Sequence, residues 1–177
     1  MEPRQAIDDL FSVTYEELRR LASTVRRGDP SATLSPTALV HEAWLKLANS
    51  PAFVTTSRLH FKRIAARAMR ELLIEAARRR NAQKRGGGGG APKAVLITFG
   101  DAAEETISCE EELLALDAAL DELARLNPRQ AMMVESRFFG GLDIAETAAL
   151  LEISEATILR DWRAAKAWLA QELRRSR

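Results

Sequence analysis

The chain has 177 residues, 46% hydrophobic and 29% charged, with a formal net charge of +1, which allows one or two small domains with real cores and excludes disorder throughout. Its one cysteine and two histidines exclude a disulfide framework and a zinc site. No apolar run approaches membrane-spanning length and the acidic, amphipathic start lacks the form of a signal peptide, so a soluble cytoplasmic protein without a membrane partner is expected.

Helical periodicity dominates from the first residues. Ile7, Leu10, Phe11, Leu18, Leu21 and Val25 mark a first helix that ends before Gly28-Asp29-Pro30. Ser35-Pro36 caps and starts a second, with Leu39, Val40, Ala43, Trp44 and Leu47 as its apolar positions, and Asn49-Ser50-Pro51 ends it. A loop carrying Phe53, Thr55 and Thr56 leads to Ser57, a candidate N-cap for a third helix. That helix is lined by Phe61, Ile64, Ala65, Ala68, Leu72 and Leu73 and runs through Arg78-Arg79-Arg80 to a stop at Gly86–Gly90.

The glycine run is not a phosphate-binding loop, because it leads into Ala91-Pro92-Lys93 rather than Gly-Lys-Ser/Thr. It reads as a flexible hinge. Beyond it, Val95–Phe99 is a short apolar run without partner strands, expected to be extended. Acidic residues from Asp101 to Glu112 then lead into an amphipathic helix bearing Leu113, Leu116, Leu120 and Leu123.

The C-terminal stretch holds the densest set of signals. Asn127 caps a helix whose first residue is Pro128, and Gly140-Gly141 stops it. Asp143 and Glu146 form a capping-box pattern at the start of the next helix. Ala148 falls where a helix crossing would be tightest. Glu152-Ile153-Ser154 makes a turn, Ser154 caps the last helix, and Ile158 is spaced to pack back on Ala148. This is helix-turn-helix spacing, which leaves the last helix on the surface where it could enter a DNA major groove.

Charge is unevenly spread. Residues 1–90 carry sixteen basic and nine acidic side chains, residues 91–127 two and nine, and residues 128–177 eight and seven. Two nucleic-acid-facing blocks joined by an acidic connector would have this distribution. No catalytic set stands out: His41-Glu42 lacks the second histidine of a metalloprotease helix, since position 45 is Leu. The expected fold is therefore all-α, with two small helical domains joined by a flexible linker: residues 1–85, a Gly-rich then acidic linker at 86–112, and a helix-turn-helix domain at 113–177. Neither enzyme activity nor a cofactor is expected.

Two motifs in order resemble the extracytoplasmic-function (ECF) sigma factors of bacterial RNA polymerase. The first is Leu39-Val40-His41-Glu42-Ala43-Trp44-Leu45-Lys46-Leu47, followed by Ile64-Ala65-Ala66-Arg67 through Arg78-Arg79-Arg80. The second comprises Leu126-Asn127-Pro128-Arg129-Gln130-Ala131, Arg137-Phe138-Phe139-Gly140-Gly141-Leu142 and Glu146-Thr147-Ala148. The resemblance implies a sigma factor with core RNA polymerase and promoter DNA as partners. It places Leu39, Val40, His41, Glu42, Trp44 and Leu45 against the polymerase, and Phe53, Arg63, Arg67 and Arg70 against the −10 element. It places the last helix, with Glu155, Thr157, Leu159, Arg160, Arg163 and Lys166, in the −35 major groove, while Trp162, Trp168 and Leu169 pack inside.

Some positions depart from that family's pattern. Glu152 replaces the turn glycine, Asp161 stands where the family often has Arg, and His60 where many members have Trp. Ala38 and His41 replace an Asp and a Gln in the polymerase-binding helix. Thr37 or Ser35, at the start of that helix, is then a candidate phosphorylation site for a Ser/Thr kinase, because added negative charge suits the helix N-terminus. An anti-sigma factor is a further candidate partner. A helix-turn-helix regulator that acts without polymerase, and a helical adaptor protein, remain alternatives, although neither uses both halves of the chain.

Overall fold

The computed structural model describes residues 9, 11–19, 22, 35–49, 57–85, 97–98, 106–107 and 110–175. Residues 11–19 form the described part of α1. It is followed by α2 (Pro36–Ala48), α3 (Arg58–Arg85), α4 (Glu110–Leu126), α5 (Pro128–Phe138), α6 (Ile144–Leu151) and α7 (Glu155–Arg175). The fold is all-α apart from one short ladder: β1 (Ile97–Thr98) pairs antiparallel with β2 (Thr106–Ile107), in register Ile97↔Ile107 and Thr98↔Thr106. The expectation that Val95–Phe99 has no partner strand is thereby corrected, because its described residues Ile97 and Thr98 pair with Ile107 and Thr106. Phe53, the end of the first helix and the Gly86–Gly90 run lie outside the described residues.

The caps follow the sequence closely. Ser35 Oγ accepts from the Ala38 backbone N–H at 3.0 Å, with Pro36 in the first turn. Ser57 Oγ accepts from His60 N–H at 3.2 Å and opens α3. Asn127 Oδ1 accepts from Gln130 N–H, and Asp143 and Glu146 complete a reciprocal capping box. At the end of α5, Gly141 is left-handed (φ 64°) and donates to the Arg137 carbonyl at 3.2 Å, a left-handed C-cap. α4 begins at Glu110, three residues before the position expected for the C-terminal domain.

Helix α3 is the spine. Phe61, Ala65 and Ala68 form one buried stripe, and Ala66, Met69, Leu73 and Ala77 a second at the same helical spacing. α3 packs on α2 and also on α4, α5 and α6. Its second stripe faces the C-terminal helices: a Cβ built on Gly140 would lie 3.1 Å from Ala66 Cβ. Buried side chains of α1–α3 and α4–α7 form one hydrophobic cluster, from Leu18, Leu39 and Phe61 to Leu116, Val134, Ile158 and Leu169.

Candidate nucleic-acid and polymerase interface

α6 and α7 are joined by a short turn at the positions where the helix-turn-helix spacing of the sequence expects one. α6 is two turns long and closes on Glu152, whose backbone is left-handed (φ 54°, ψ 40°). Ile153 N–H donates to the Ala148 carbonyl at 3.1 Å, and Ser154 Oγ accepts from Thr157 N–H at 3.2 Å, so both helix ends at the turn are satisfied. Ala148 and Ile158 are both buried in the core between these helices.

The outward side of α7 carries Glu155, Leu159, Arg160 and Arg163, all exposed, with Thr157 half-buried beside them. Leu159 is 37% exposed, an apolar contact surface between charged neighbours. Lys166 is half-buried and its ammonium lies 5.8 Å from the Trp162 ring, so Trp162 holds it from below. Trp162 and Leu169 are buried and Trp168 is partly buried, as the apolar spacing required. Asp161 is core-facing: it is 6% exposed and accepts from Arg129 Nη2 of α5 at 2.7 Å. That pair fixes the rotation of α7 on α5, and no spacing rule connects positions 129 and 161.

On α2, His41, Glu42 and Leu45 are exposed, Leu45 at 44%. Trp44 is half-buried and stacks near Phe11 (5.6 Å between ring centroids), while His41 meets Phe11 and Tyr15 edge-on. Leu39 and Val40 are fully buried, so they anchor α2 in the core instead of presenting a surface. Thr37 is exposed in the first turn of α2, which contains no acidic residue.

The cationic residues of α3 separate into two groups. Arg67 is exposed and pairs with Glu71 one turn on, and Arg63 is half-buried beside His60. Burial, with Arg63 adding, holds the His60 imidazole below its ordinary pKa. Arg70 is different: it is 13% exposed and bonds Asp117 Oδ1 at 2.7–2.9 Å, the Asp117 carbonyl at 3.0 Å and Asp121 Oδ1 at 2.7 Å, with Glu135 at 3.7 Å. Burial works against its charge, but these carboxylates outweigh it and raise its pKa. Burial also raises the Glu135 carboxyl above the usual range, against the pull of Arg70. Lys62, which sequence reasoning did not single out, is 4% exposed between Glu17 of α1 (3.1 Å) and Glu146 of α6 (2.9 Å).

A family model described as ECF sigma factor matches residues 3–175 of the 177, both helical halves and everything between them. The chain belongs to the ECF sigma factor family. No curated protein and no solved structure matched it. An ECF sigma factor is an alternative sigma factor for transcription initiation. No helix among the described residues of this sigma factor is long and apolar enough to cross a membrane.

Proposed function

We propose that this sigma factor binds core RNA polymerase through α2 and directs initiation by contacting −10 and −35 promoter elements with α3 and α7. The observation that carries the reading is the outward strip on α7, where Glu155, Leu159, Arg160 and Arg163 follow a capped turn on a helix whose other side is fully packed. In this reading Glu155, Thr157 and Leu159, at the start of the helix, face base edges, and Arg160, Arg163 and Lys166 take phosphates. Asp161 is spent on Arg129, so the reading strip has no cation at the position where the family often has Arg.

The exposed side chains of α2, His41, Glu42 and Leu45, supply the polymerase surface, supported from behind by Leu39, Val40 and Trp44. Arg63 and Arg67 of α3, with Phe53 ahead of it, take −10 DNA; a cation clamps backbone and an aromatic face stacks an unpaired base. Residues 1–85 and 113–177 act as the two promoter-binding units, with 86–112 as their connector. Thr37 is a site where a Ser/Thr kinase adds the negative charge that the first turn of α2 lacks. An anti-sigma factor would compete for the same α2 and α7 surfaces.

Reconstitution with core polymerase free of other sigma factors, on genomic fragments with sequenced run-off transcripts, tests the reading. Defined start sites sharing a two-part upstream motif are expected. Absence of transcripts combined with polymerase-independent binding to defined DNA would transfer the chain to the regulator class. Full promoter activity of Thr37→Ala under inducing conditions would remove Thr37 from the proposal.

A further inference from the structure

The start of α7 offers a narrow choice of chemistry. Its exposed side chains are Glu155, Ala156, Leu159 and Arg160, and Arg163 follows one turn after Leu159. Ala156, Leu159 and Arg163 stand at i, i+3 and i+7, so they stack along one outward line, with Glu155 on one side of it and Arg160 on the other. The hydroxyls of Ser154 and Thr157 are turned on each other: Ser154 Oγ accepts from Thr157 N–H, and the two oxygens lie 2.9 Å apart. Asp161 faces inward, buried against Arg129. Ahead of the first arginine, the outward surface therefore carries one carboxylate and two apolar groups.

A carboxylate accepts hydrogen bonds and donates none, and the Ala156 methyl and Leu159 isobutyl groups do neither. Guanine shows only acceptors, O6 and N7, on its major-groove edge, so it finds no donor here and its lone pairs oppose Glu155. Cytosine N4 and adenine N6 both carry amino donors. Adenine sets its N7 acceptor beside that donor, against the second carboxylate oxygen, whereas cytosine has a C5–H there. Thymine presents a C5 methyl group that packs on alanine or leucine. We infer that this sigma factor selects a −35 element in which a cytosine faces Glu155 and thymine methyl groups face Ala156 and Leu159, with guanine excluded from the edge that Glu155 meets. The inference rests on the −35 reading above and adds the base chemistry to it. Arg160 and Arg163 hold phosphates and supply affinity without choosing bases.

The test reconstitutes the full chain with core polymerase and selects transcribed fragments from a DNA pool randomised upstream of the start site. Wild-type protein is expected to enrich a cytosine next to thymine within the −35 element. Glu155→Gln, whose amide matches adenine N6 and N7 together, is expected to move that position from cytosine to adenine by about tenfold. Leu159→Ala is expected to flatten the thymine preference. Replacing that thymine by deoxyuridine, which deletes only the methyl group, should cost the wild-type protein about three- to fivefold in transcripts and Leu159→Ala less than about twofold. Both substituted side chains are exposed, and the deoxyuridine arm leaves the protein unaltered, so neither result depends on refolding. Guanine at the position that responds to Glu155→Gln, or a base preference that neither substitution moves, would overturn the inference while the sigma-factor reading stands. If the wild-type protein yields no transcripts with a shared two-part motif, that reading fails and the inference fails with it.

Discussion

Glu152 is the residue whose backbone disagrees most with its side chain. A left-handed conformation costs a non-glycine residue about 1–2 kcal/mol, and a glycine there gives part of this back as extra freedom of the unfolded chain. Glu152→Gly is therefore expected to raise stability by roughly 0.5–1 kcal/mol, read as a higher denaturant midpoint at unchanged slope. Glu135 offers a second check. Its pKa is raised on folding, so the native state holds that proton more tightly than the unfolded chain does. Its contribution is fully present below the ordinary carboxylate pKa and is lost as pH rises through the raised value. Glu135→Gln, which keeps the neutral form at every pH, should flatten that part of the stability profile. Relative to wild type it should gain more at neutral pH than in acid. Unfolding curves across the acid range measure the difference.

At the level of elements, the helix ends were the most legible part of the sequence. Ser35, Ser57, Asn127, Asp143 and Ser154 all cap where their side-chain chemistry and the following spacing placed them, because a cap is satisfied by residues two or three positions away. The orientation of α7 was not legible, since it depends on Arg129 and Asp161, thirty-two positions apart. Arg160 is exposed, and it only approaches Asp161 at 3.8 Å. Arg129→Ala leaves a buried carboxylate without its main partner and should destabilise the chain by about 1–3 kcal/mol, whereas Arg160→Ala should cost less than about 0.5 kcal/mol. Paired thermal or denaturant unfolding of the two variants separates them. The same two substitutions are expected to act in the opposite order on the salt dependence of DNA binding, where only Arg160 is a phosphate candidate.

At the level of the whole molecule, Gly140 is a point of close approach between the two sets of helices. An added Cβ there would meet the Ser136 carbonyl at 2.4 Å and Ala66 Cβ at 3.1 Å. Gly140→Ala should cost about 1–3 kcal/mol, and Ala66→Gly should not restore it, because the closer contact is with backbone of α5 that cannot move aside. A double-mutant comparison by denaturant unfolding checks this. The sequence by itself determined the helices, their caps, the turn between α6 and α7 and the family, since all of these rest on residues close together along the chain. It contained the second apolar stripe of α3 as well, Ala66, Met69, Leu73 and Ala77, but a stripe names no partner. Only the tertiary structure decided that α4, α5 and α6 cover this stripe, that Lys62 and Arg70 are held by carboxylates, and that Leu39 and Val40 are core. The physical reason is that burial and ion pairing depend on which surfaces meet, and the chain brings Lys62 to Glu146 and Arg70 to Asp117 across separations that no local periodicity encodes.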